Sequence, residues 1–308
     1  MLDDLGEIEI PVGIETVCVA LGILKSISMY ALPNLIGVII LSNDASHLLV
    51  TEENAILIAT LNRPAKLNAL TPETFELFEA ALHRFRDTPA LKVMLIRATG
   101  RYFSAGADLR GGGDAVMPTS GSGLREMHRL QLNGMHRIYD EMEHIEKPIV
   151  VAHQAMCMGG GLELSLSCDF RLAAKSAGYA FPEGKMGVLP ASNGVSRLAR
   201  IIGTHWSRYL IMANLPVSAD RALIMGLVHE VYPDETFDED AMAFCRHLAA
   251  QNSEQMGAAK IAIELAHDVG LAQARHVERL ANSALMLDPN YQAMLAQHVG
   301  GIGRKGEK

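Results

Sequence analysis

The sequence has few cysteines, little aromatic content and no excess of basic residues. No HExxH motif accompanies its twelve histidines, and the cysteines form no CxxC pair, so we expect no protein-bound metal. With 27 basic and 35 acidic residues the net charge is −8, whereas a nucleic-acid-binding domain needs a basic face, so no nucleic acid is expected as a partner. The cysteines are Cys18, Cys157, Cys168 and Cys245. Their scatter is typical of buried free thiols in a reducing compartment, which favours a cytoplasmic location.

The first 46 residues differ in composition from the rest of the 308-residue chain. They combine an acidic start with two apolar stretches, and they lack the basic region of a secretory signal and the arginines of a mitochondrial transit peptide. The uncharged stretch Ser26–Asn43 includes serines, an asparagine and a proline, so we expect no membrane helix. Residues 1–46 are interpreted as an extension without a catalytic role, either an accessory segment or the product of a start site placed too far upstream.

From residue 47 onward the pattern predicts alternating strands and helices. Apolar runs at 56–61, 92–98, 148–152 and 169–173 are typical of buried strands, and Thr71 followed by Pro72 predicts the start of a helix. Strands separated by helices indicate parallel β-α-β units. Beyond about residue 204 the periodicity is almost wholly helical. We therefore predict an α/β core over 47–203 that carries the active site, followed by a helical region over 204–308.

Three segments have compositions suited to substrate binding or catalysis, and each follows a predicted strand. Residues 103–109 (FSAGADL) are small enough to let a ligand approach the backbone, so the Ala107 N–H is a candidate donor. Residues 158–164 (MGGGLEL) place three glycines at the start of a helix, where free N–H groups favour an oxyanion. Glu163 lies in that first turn. In the third segment, residues 180–184 (AFPEG), Glu183 follows a proline; if it meets Glu163 in an apolar cleft, the two carboxyls can act as acid and base.

In this order, the segments resemble the enoyl-CoA hydratase/isomerase family, the crotonase superfamily. The similarity extends over about residues 48–290. Its matching stretches are LNRPAKLNAL at 61–70, FSAGADL at 103–109, GGGLELSLSCD at 159–169, FPEGKMGVLP at 181–190 and VSADRALIMGLV at 217–228. The resemblance implies an α/β spiral of repeated ββα units with a helical C-terminal trimerisation region, assembled as a homotrimer or a hexamer.

The resemblance also implies an acyl-CoA substrate, no metal and no organic cofactor, since coenzyme A is part of the substrate. By position, the N–H groups of Ala107 and Gly160 match the donors that stabilise a thioester enolate, and Glu163 and Glu183 match the two glutamates of hydratases. Reversible hydration of an enoyl-CoA is therefore expected. The positions expected to bind substrate and CoA are Lys66, Ala105, Ala107, Asp108, Leu109, Arg110, Gly159 and Gly160, with Lys66 or Arg110 meeting the CoA phosphates.

The chain departs from the family pattern in two places. His153 and the stretch QAMCM at 154–158 replace smaller and more typical residues, and ASNG at 191–194 replaces a glycine-rich loop. A double-bond isomerase, a thioester hydrolase using Ser192 and a non-catalytic CoA-ester-binding protein therefore remain alternatives to a hydratase. Arg110–Gly123 is rich in glycine and is expected to be a mobile loop over the acyl chain.

Overall fold

The computed structural model describes residues 46–109, 118–289 and 291–301. The extension up to residue 45 and the candidate CoA ligand Arg110 lie outside these ranges, so the predictions made for them stay predictions. Among the helices of the described ranges, none is both long and apolar enough to cross a membrane.

The larger sheet has six strands in the order β1-β2-β3-β5-β7-β10. Its strands are β1 (Leu48–Glu53), β2 (Ile56–Leu61), β3 (Val93–Ala98), β5 (Ile149–His153), β7 (Phe170–Ala174) and β10 (Glu230–Tyr232). Strands β1 and β2 form an antiparallel pair, and the other neighbours are parallel. The four strands predicted at 56–61, 92–98, 148–152 and 169–173 are confirmed to within one or two residues.

A second sheet, which the sequence analysis did not predict, has the order β4-β6-β8-β9. Its strands have two or three residues each: β4 (Tyr102–Ser104), β6 (Met156–Met158), β8 (Gly178–Ala180) and β9 (Val217–Ser218). The first three are parallel, whereas β9 runs antiparallel to β8. Each of β4, β6 and β8 leads directly into one of the three segments singled out above.

Helices follow the strands and fill the C-terminal part of the chain. They are α1 (Pro72–Asp87), α2 (Gly121–His144), α3 (Gly160–Leu166), α4 (Gly194–Ser207), α5 (Ala219–Ile224), α6 (Phe237–Ala249), α7 (Ser253–Asp268), α8 (Leu271–Leu285) and α9 (Tyr291–Gly301). Short 3-10 turns lie at Pro64–Lys66 and Pro182–Met186, and a π-helical turn lies at Arg208–Met212. Strands β9 and β10 lie beyond residue 203 but pair with strands of the core.

The central strands are buried on both faces, which explains their continuous apolar sequences. All six residues of β2 are buried. Leu57 and Ala59 face the core cluster shared with the second sheet, whereas Ile56 and Ile58 face the cluster that α6 covers. This alternation follows from the two-residue period of a strand. The large sheet is thereby packed between two apolar layers, and its strand ends form a rigid base for the loops above them.

The predicted helix start at Thr71 is confirmed, whereas the loop predicted over Arg110–Gly123 ends earlier than expected. The Thr71 side chain accepts a hydrogen bond from the Thr74 N–H, and Pro72 occupies the first turn. Helix α2 begins at Gly121, because the Ser120 hydroxyl caps it by accepting from the Gly123 N–H. The loop expected over Arg110–Gly123 is thus wrong for its last three residues. Residues 110–117 lie outside the described ranges.

Arg171 is a buried side chain that joins the end of α3 to the segment before β10. Its Nε donates to the Leu227 carbonyl at 2.8 Å, and its Nη1 donates to the Cys168 carbonyl at 2.6 Å. Replacing it by Met leaves these carbonyls unpaired in the core, so we expect Arg171→Met to lower the free energy of unfolding by about 2–4 kcal/mol in urea titrations. Lys175→Met, which breaks an exposed ion pair, is the control with an expected loss below about 1 kcal/mol. Equal losses would contradict this account.

Candidate functional site

The loop after β4 is held against the turn that precedes α1. The Leu70 N–H donates to the Gly106 carbonyl at 2.8 Å, and the Asp108 N–H donates to the Leu70 carbonyl at 2.9 Å. The Ala107 N–H lies between these two bonds and takes part in neither. Within the described part of the chain, this N–H donates to no other backbone carbonyl.

Asn68 organises this turn, although the sequence analysis gave it no role. It lies in the left-handed region with φ 52° and is buried. Its Nδ2 donates to the carbonyls of Thr99 and Tyr102 at 2.7 and 2.8 Å, and its Oδ1 accepts from the Arg63 N–H. Asparagine tolerates this backbone region better than most residues do, because its short polar side chain makes local hydrogen bonds. The match to LNRPAKLNAL was a signal for this turn, but it did not reveal the contacts.

The glycine segment after β6 packs directly on the loop after β4. A methyl group at Gly106, where φ is +91°, would lie 3.1 Å from the Gly160 nitrogen, and one at Gly160 would lie 3.4 Å from the Ala107 nitrogen. The two backbones therefore approach as closely as glycine allows. In the described part of the chain the Gly160 N–H, like that of Ala107, donates to no backbone carbonyl. The structure thus brings together the two donors inferred from the sequence.

Glu163 lies in the first turn of α3 and is 5% exposed. Its Oε1 accepts a hydrogen bond from the Ser192 N–H at 2.7 Å. Burial, together with the negative charge of Glu183, raises the pKa of Glu163 to about 7, whereas the N–H groups of Ser192 and Gly194 oppose the rise. At neutral pH this carboxyl is therefore close to half-protonated, as a general acid or base requires.

Glu183 is half-buried in the turn after β8, next to the glycine segment. A methyl group at Gly159 would lie 2.7 Å from its Oε1. Its Oε2 is buried and has no hydrogen-bond partner among the described residues. Burial raises the pKa of Glu183 as well. Because the charge of one carboxylate raises the pKa of the other, the pair gives up its protons in coupled steps.

The remaining candidates for binding substrate and CoA are spread along the rim of this site. Ala105 is tied to the turn through its N–H, which donates to the Leu67 carbonyl at 2.9 Å. Asp108 forms an ion pair with Arg63 at 3.1 Å, which sequence reasoning did not predict. Lys66 is exposed, and Leu109 is 73% exposed. The rim thus presents Lys66 and Leu109 to solvent, whereas Asp108 is engaged with the protein.

The unusual His153 packs beneath the second sheet and does not reach solvent. Its Nδ1 pairs with the Tyr179 hydroxyl at 3.1 Å, and its ring contacts that of Phe103 with centroids 4.7 Å apart. Burial lowers the pKa of His153 to about 3, so the ring is neutral. His153 therefore links β5 of the large sheet to β8 of the small one. Cys157, Cys168 and Cys245 are free and buried, as expected from the sequence.

The raised pKa of Glu163 makes folding stability depend on pH. Between about pH 4.5 and pH 7 the unfolded chain has lost the Glu163 proton while the folded chain still binds it, so stability falls as the pH rises. The full effect is about 3 kcal/mol. Gln keeps an oxygen that accepts from the Ser192 N–H but carries no charge. We therefore expect Glu163→Gln to unfold at a higher temperature than the unmodified protein at pH 8 and at a similar temperature at pH 4, as measured by calorimetry.

Comparison with known proteins gives one consistent result. The family model described as enoyl-CoA hydratase/isomerase matches residues 51–292. The chain is 30% identical over 193 residues to short-chain-enoyl-CoA hydratase of Clostridium acetobutylicum, covering 61% of this chain and 69% of that one. It is 34% identical over 201 residues to carnitinyl-CoA dehydratase of Salmonella typhi, covering 65% and 73%. The crystal structure of an enoyl-CoA hydratase from Bacillus anthracis matches with a TM-score of 0.75 at 26% identity, covering 82% and 96%. The α/β fold inferred from the motifs is confirmed.

Proposed function

Because the chain belongs to the enoyl-CoA hydratase/isomerase family, as its motifs indicated, we propose that it adds water reversibly across the 2,3 double bond of an enoyl-CoA thioester. The observation that carries this proposal is the position of two carboxyls with raised pKa, Glu163 and Glu183, beside the glycine segment that supplies a free N–H group.

In the proposed mechanism the thioester oxygen lies between the N–H groups of Ala107 and Gly160. As the double bond is attacked, negative charge develops on this oxygen, and both N–H groups stabilise the enolate. Their close approach and their lack of backbone acceptors in the described ranges support this role. One such donor contributes about 10²–10³-fold to the rate.

Glu163 and Glu183 hold the water between them. One carboxylate accepts a proton as the water oxygen bonds to C3, and the other carboxyl donates a proton to C2 on the same face. Because the pair titrates as a unit, either glutamate can take either part. A neutral pH suits both steps, since the pKa of Glu163 is about 7.

The CoA moiety is proposed to lie along the rim formed by the loop after β4 and the turn before α1. Backbone groups of Ala105, Gly159 and Gly160 flank the thioester, and Asp108 and Leu109 border the pantetheine. The exposed Lys66 would meet the phosphates, as would Arg110, which lies outside the described residues. The fixed ion pair between Arg63 and Asp108 supports a preformed rim.

Hydration is favoured over thioester hydrolysis by the surroundings of Ser192. A serine nucleophile needs a neighbouring base. Ser192 is buried, its N–H is committed to Glu163, and no described histidine is hydrogen-bonded to its hydroxyl. Both glutamates are retained, which also favours hydration over a non-catalytic CoA-ester-binding role.

The test is incubation of the purified protein with enoyl-CoA esters of different acyl groups. We expect loss of the absorbance of the conjugated thioester and a product heavier by one water. A product of unchanged mass would indicate isomerisation, and release of free CoA would indicate hydrolysis. Either outcome in place of hydration would overturn the proposal.

We further propose that the protein assembles as a homotrimer or hexamer and is cytoplasmic. Large apolar side chains are exposed on α7 and α8 and just after them, and several such side chains on neighbouring helices are typical of an interface. Examples are Ile263 at 64%, Leu271 and Leu280 at 69%, and Leu287 at 83% exposure. The free thiols support a reducing compartment. Light scattering coupled to size exclusion measures the assembly directly, and a monomer would contradict it.

A further inference from the structure

Gly184 follows Glu183 directly and has no room for a side chain. A methyl group added to Gly184 would lie 2.7 Å from Cγ of Asn214 and closer still to its Nδ2 and Oδ1, which is shorter than a normal contact. The φ angle of Gly184 lies outside the left-handed region, so the backbone itself would accept alanine. The need for glycine at this position therefore comes from the Asn214 amide.

Asn214 is fixed at the end of the π-helical turn. It lies in the left-handed region with φ 52°. Its Nδ2 donates to the carbonyls of Ile211 and Met212 at 2.8 and 3.3 Å. Just before it, the Ala213 N–H donates to the Arg208 carbonyl at 3.1 Å, which closes the turn. The amide that contacts Gly184 is therefore held in place by local hydrogen bonds.

The side chain of Asn214 goes beyond what its backbone conformation requires. Glycine adopts a positive φ at no steric cost and would bury no amide. The Oδ1 of Asn214, by contrast, is buried and has no hydrogen-bond partner among the described residues. An unpaired polar atom of this kind lowers stability. Contact with Gly184 is a role that a glycine at position 214 could not fill.

The turn Pro182–Met186 is exposed along most of its length. Residues 184–189 are all exposed. Within the turn, the Gly187 N–H donates to the Gly184 carbonyl at 3.1 Å. Exposed segments with exposed backbone hydrogen bonds open at a low free-energy cost. Because Glu183 belongs to this turn, opening of the turn would displace its carboxyl.

We infer that Asn214 is a positioning residue for Glu183: its amide packs against Gly184 and thereby holds the turn from which the carboxyl reaches the glycine segment. The inference rests on the proposed function for its kinetic consequence, whereas the packing itself can be measured without catalysis. A displacement of about 1 Å at a reacting group lowers the rate about 10²-fold. Loosening of the turn should therefore lower kcat. KM should change little, because Asn214 is not proposed to contact CoA.

The experiment exchanges the sizes of the two residues in the full-length protein and measures hydration kinetics. Asn214→Gly removes the amide and keeps a residue suited to positive φ, whereas Gly184→Ala adds the methyl group that collides with the amide. We expect Asn214→Gly to lower kcat about tenfold and Gly184→Ala to lower it by about 10–10²-fold. With Asn214→Gly already present, the methyl group occupies the vacated space, so adding Gly184→Ala should leave kcat unchanged or raise it. A side chain that served stability alone would change the unfolding temperature and not kcat.

Hydrogen exchange of the Gly187 amide reports on the turn independently of catalysis. We expect this amide to exchange about threefold faster or more in Asn214→Gly, because the turn opens more often. Asn54→Gly is the matched control. Asn54 also has a positive φ, 54°, but lies in the exposed turn between β1 and β2. This variant should change neither kcat nor the exchange of Gly187.

The outcomes separate the inference from the proposed function. An equal loss of kcat from Gly184→Ala in both backgrounds would overturn the inference, as would unchanged exchange of Gly187 in Asn214→Gly. If Gly184→Ala does not fold alone, the inference requires that it fold when combined with Asn214→Gly, and failure of both would contradict it. Absence of hydration in the unmodified protein would refute the proposed function alone, and the exchange measurement would then decide whether Asn214 holds the turn.

Discussion

Replacing Glu163 or Glu183 by Gln is expected to lower the turnover of an enoyl-CoA by about 10²–10⁴-fold, the contribution of a placed acid or base. Glutamine preserves the shape and keeps one acceptor oxygen, so the loss reports on proton transfer rather than on packing. Initial rates give kcat and KM separately. We expect KM and the affinity for CoA to change little, because neither carboxyl is proposed to hold the nucleotide.

Glu235→Gln serves as the control, because Glu235 is an exposed glutamate far along the chain from the site segments. Its turnover should equal that of the unmodified protein. Near-normal hydration by either Glu163→Gln or Glu183→Gln would remove that residue from the mechanism. Loss of activity in both, with unchanged thermal unfolding at pH 4, would support a shared role for the pair.

Gly159→Ala is expected to reduce kcat by about 10²-fold or more. The added methyl would lie 2.7 Å from Glu183 Oε1, which is shorter than any normal contact, and φ at this position is +51°. The carboxylate must therefore move away from the reacting carbons, and a displacement of about 1 Å costs about 10²-fold in rate. The next residue carries the proposed Gly160 donor, so the shift also disturbs the thioester oxygen. Steady-state kinetics measures the loss.

Gly203→Ala separates backbone strain from this steric effect. Gly203 also has a positive φ, +71°, but a methyl group there meets nothing within 4 Å. We expect Gly203→Ala to lower thermal stability without changing kcat. If both glycine variants lost turnover equally, the collision with Glu183 would not be the cause.

Much of the large sheet was predictable because its strands are buried on both faces. Strands Ile56–Leu61 and Ile149–His153 each begin with four consecutive apolar residues, as is typical of a parallel sheet, and their bounds were predicted to within one or two residues. The small sheet was not predictable. Strands of two or three residues, such as Val217–Ser218, carry no periodicity, and their pairing is set by tertiary contacts.

The reactive groups of the site could be predicted from the sequence, whereas the groups that hold them in place could not. Glu163 and Glu183 are adjacent to distinctive glycine and proline residues, so the local sequence draws attention to them. The Ser192 N–H, by contrast, acts through its backbone, and Ser192 lies 29 positions beyond Glu163 in the chain. Such contacts join residues tens of positions apart. A single sequence contains no local signal for them.

The small sheet has a consequence for how the protein folds. Its pairs join Tyr102 to Met156 and Cys157 to Tyr179, so each requires closure of a long stretch of chain before any contact is gained. Pairings of this kind are slow to form. During synthesis, more than fifty further residues are added after Ser104 before its partner strand is available for pairing. The Glu163 carboxyl obtains its Ser192 donor later still. Binding competence therefore arises only after pairings between distant segments of the chain have formed.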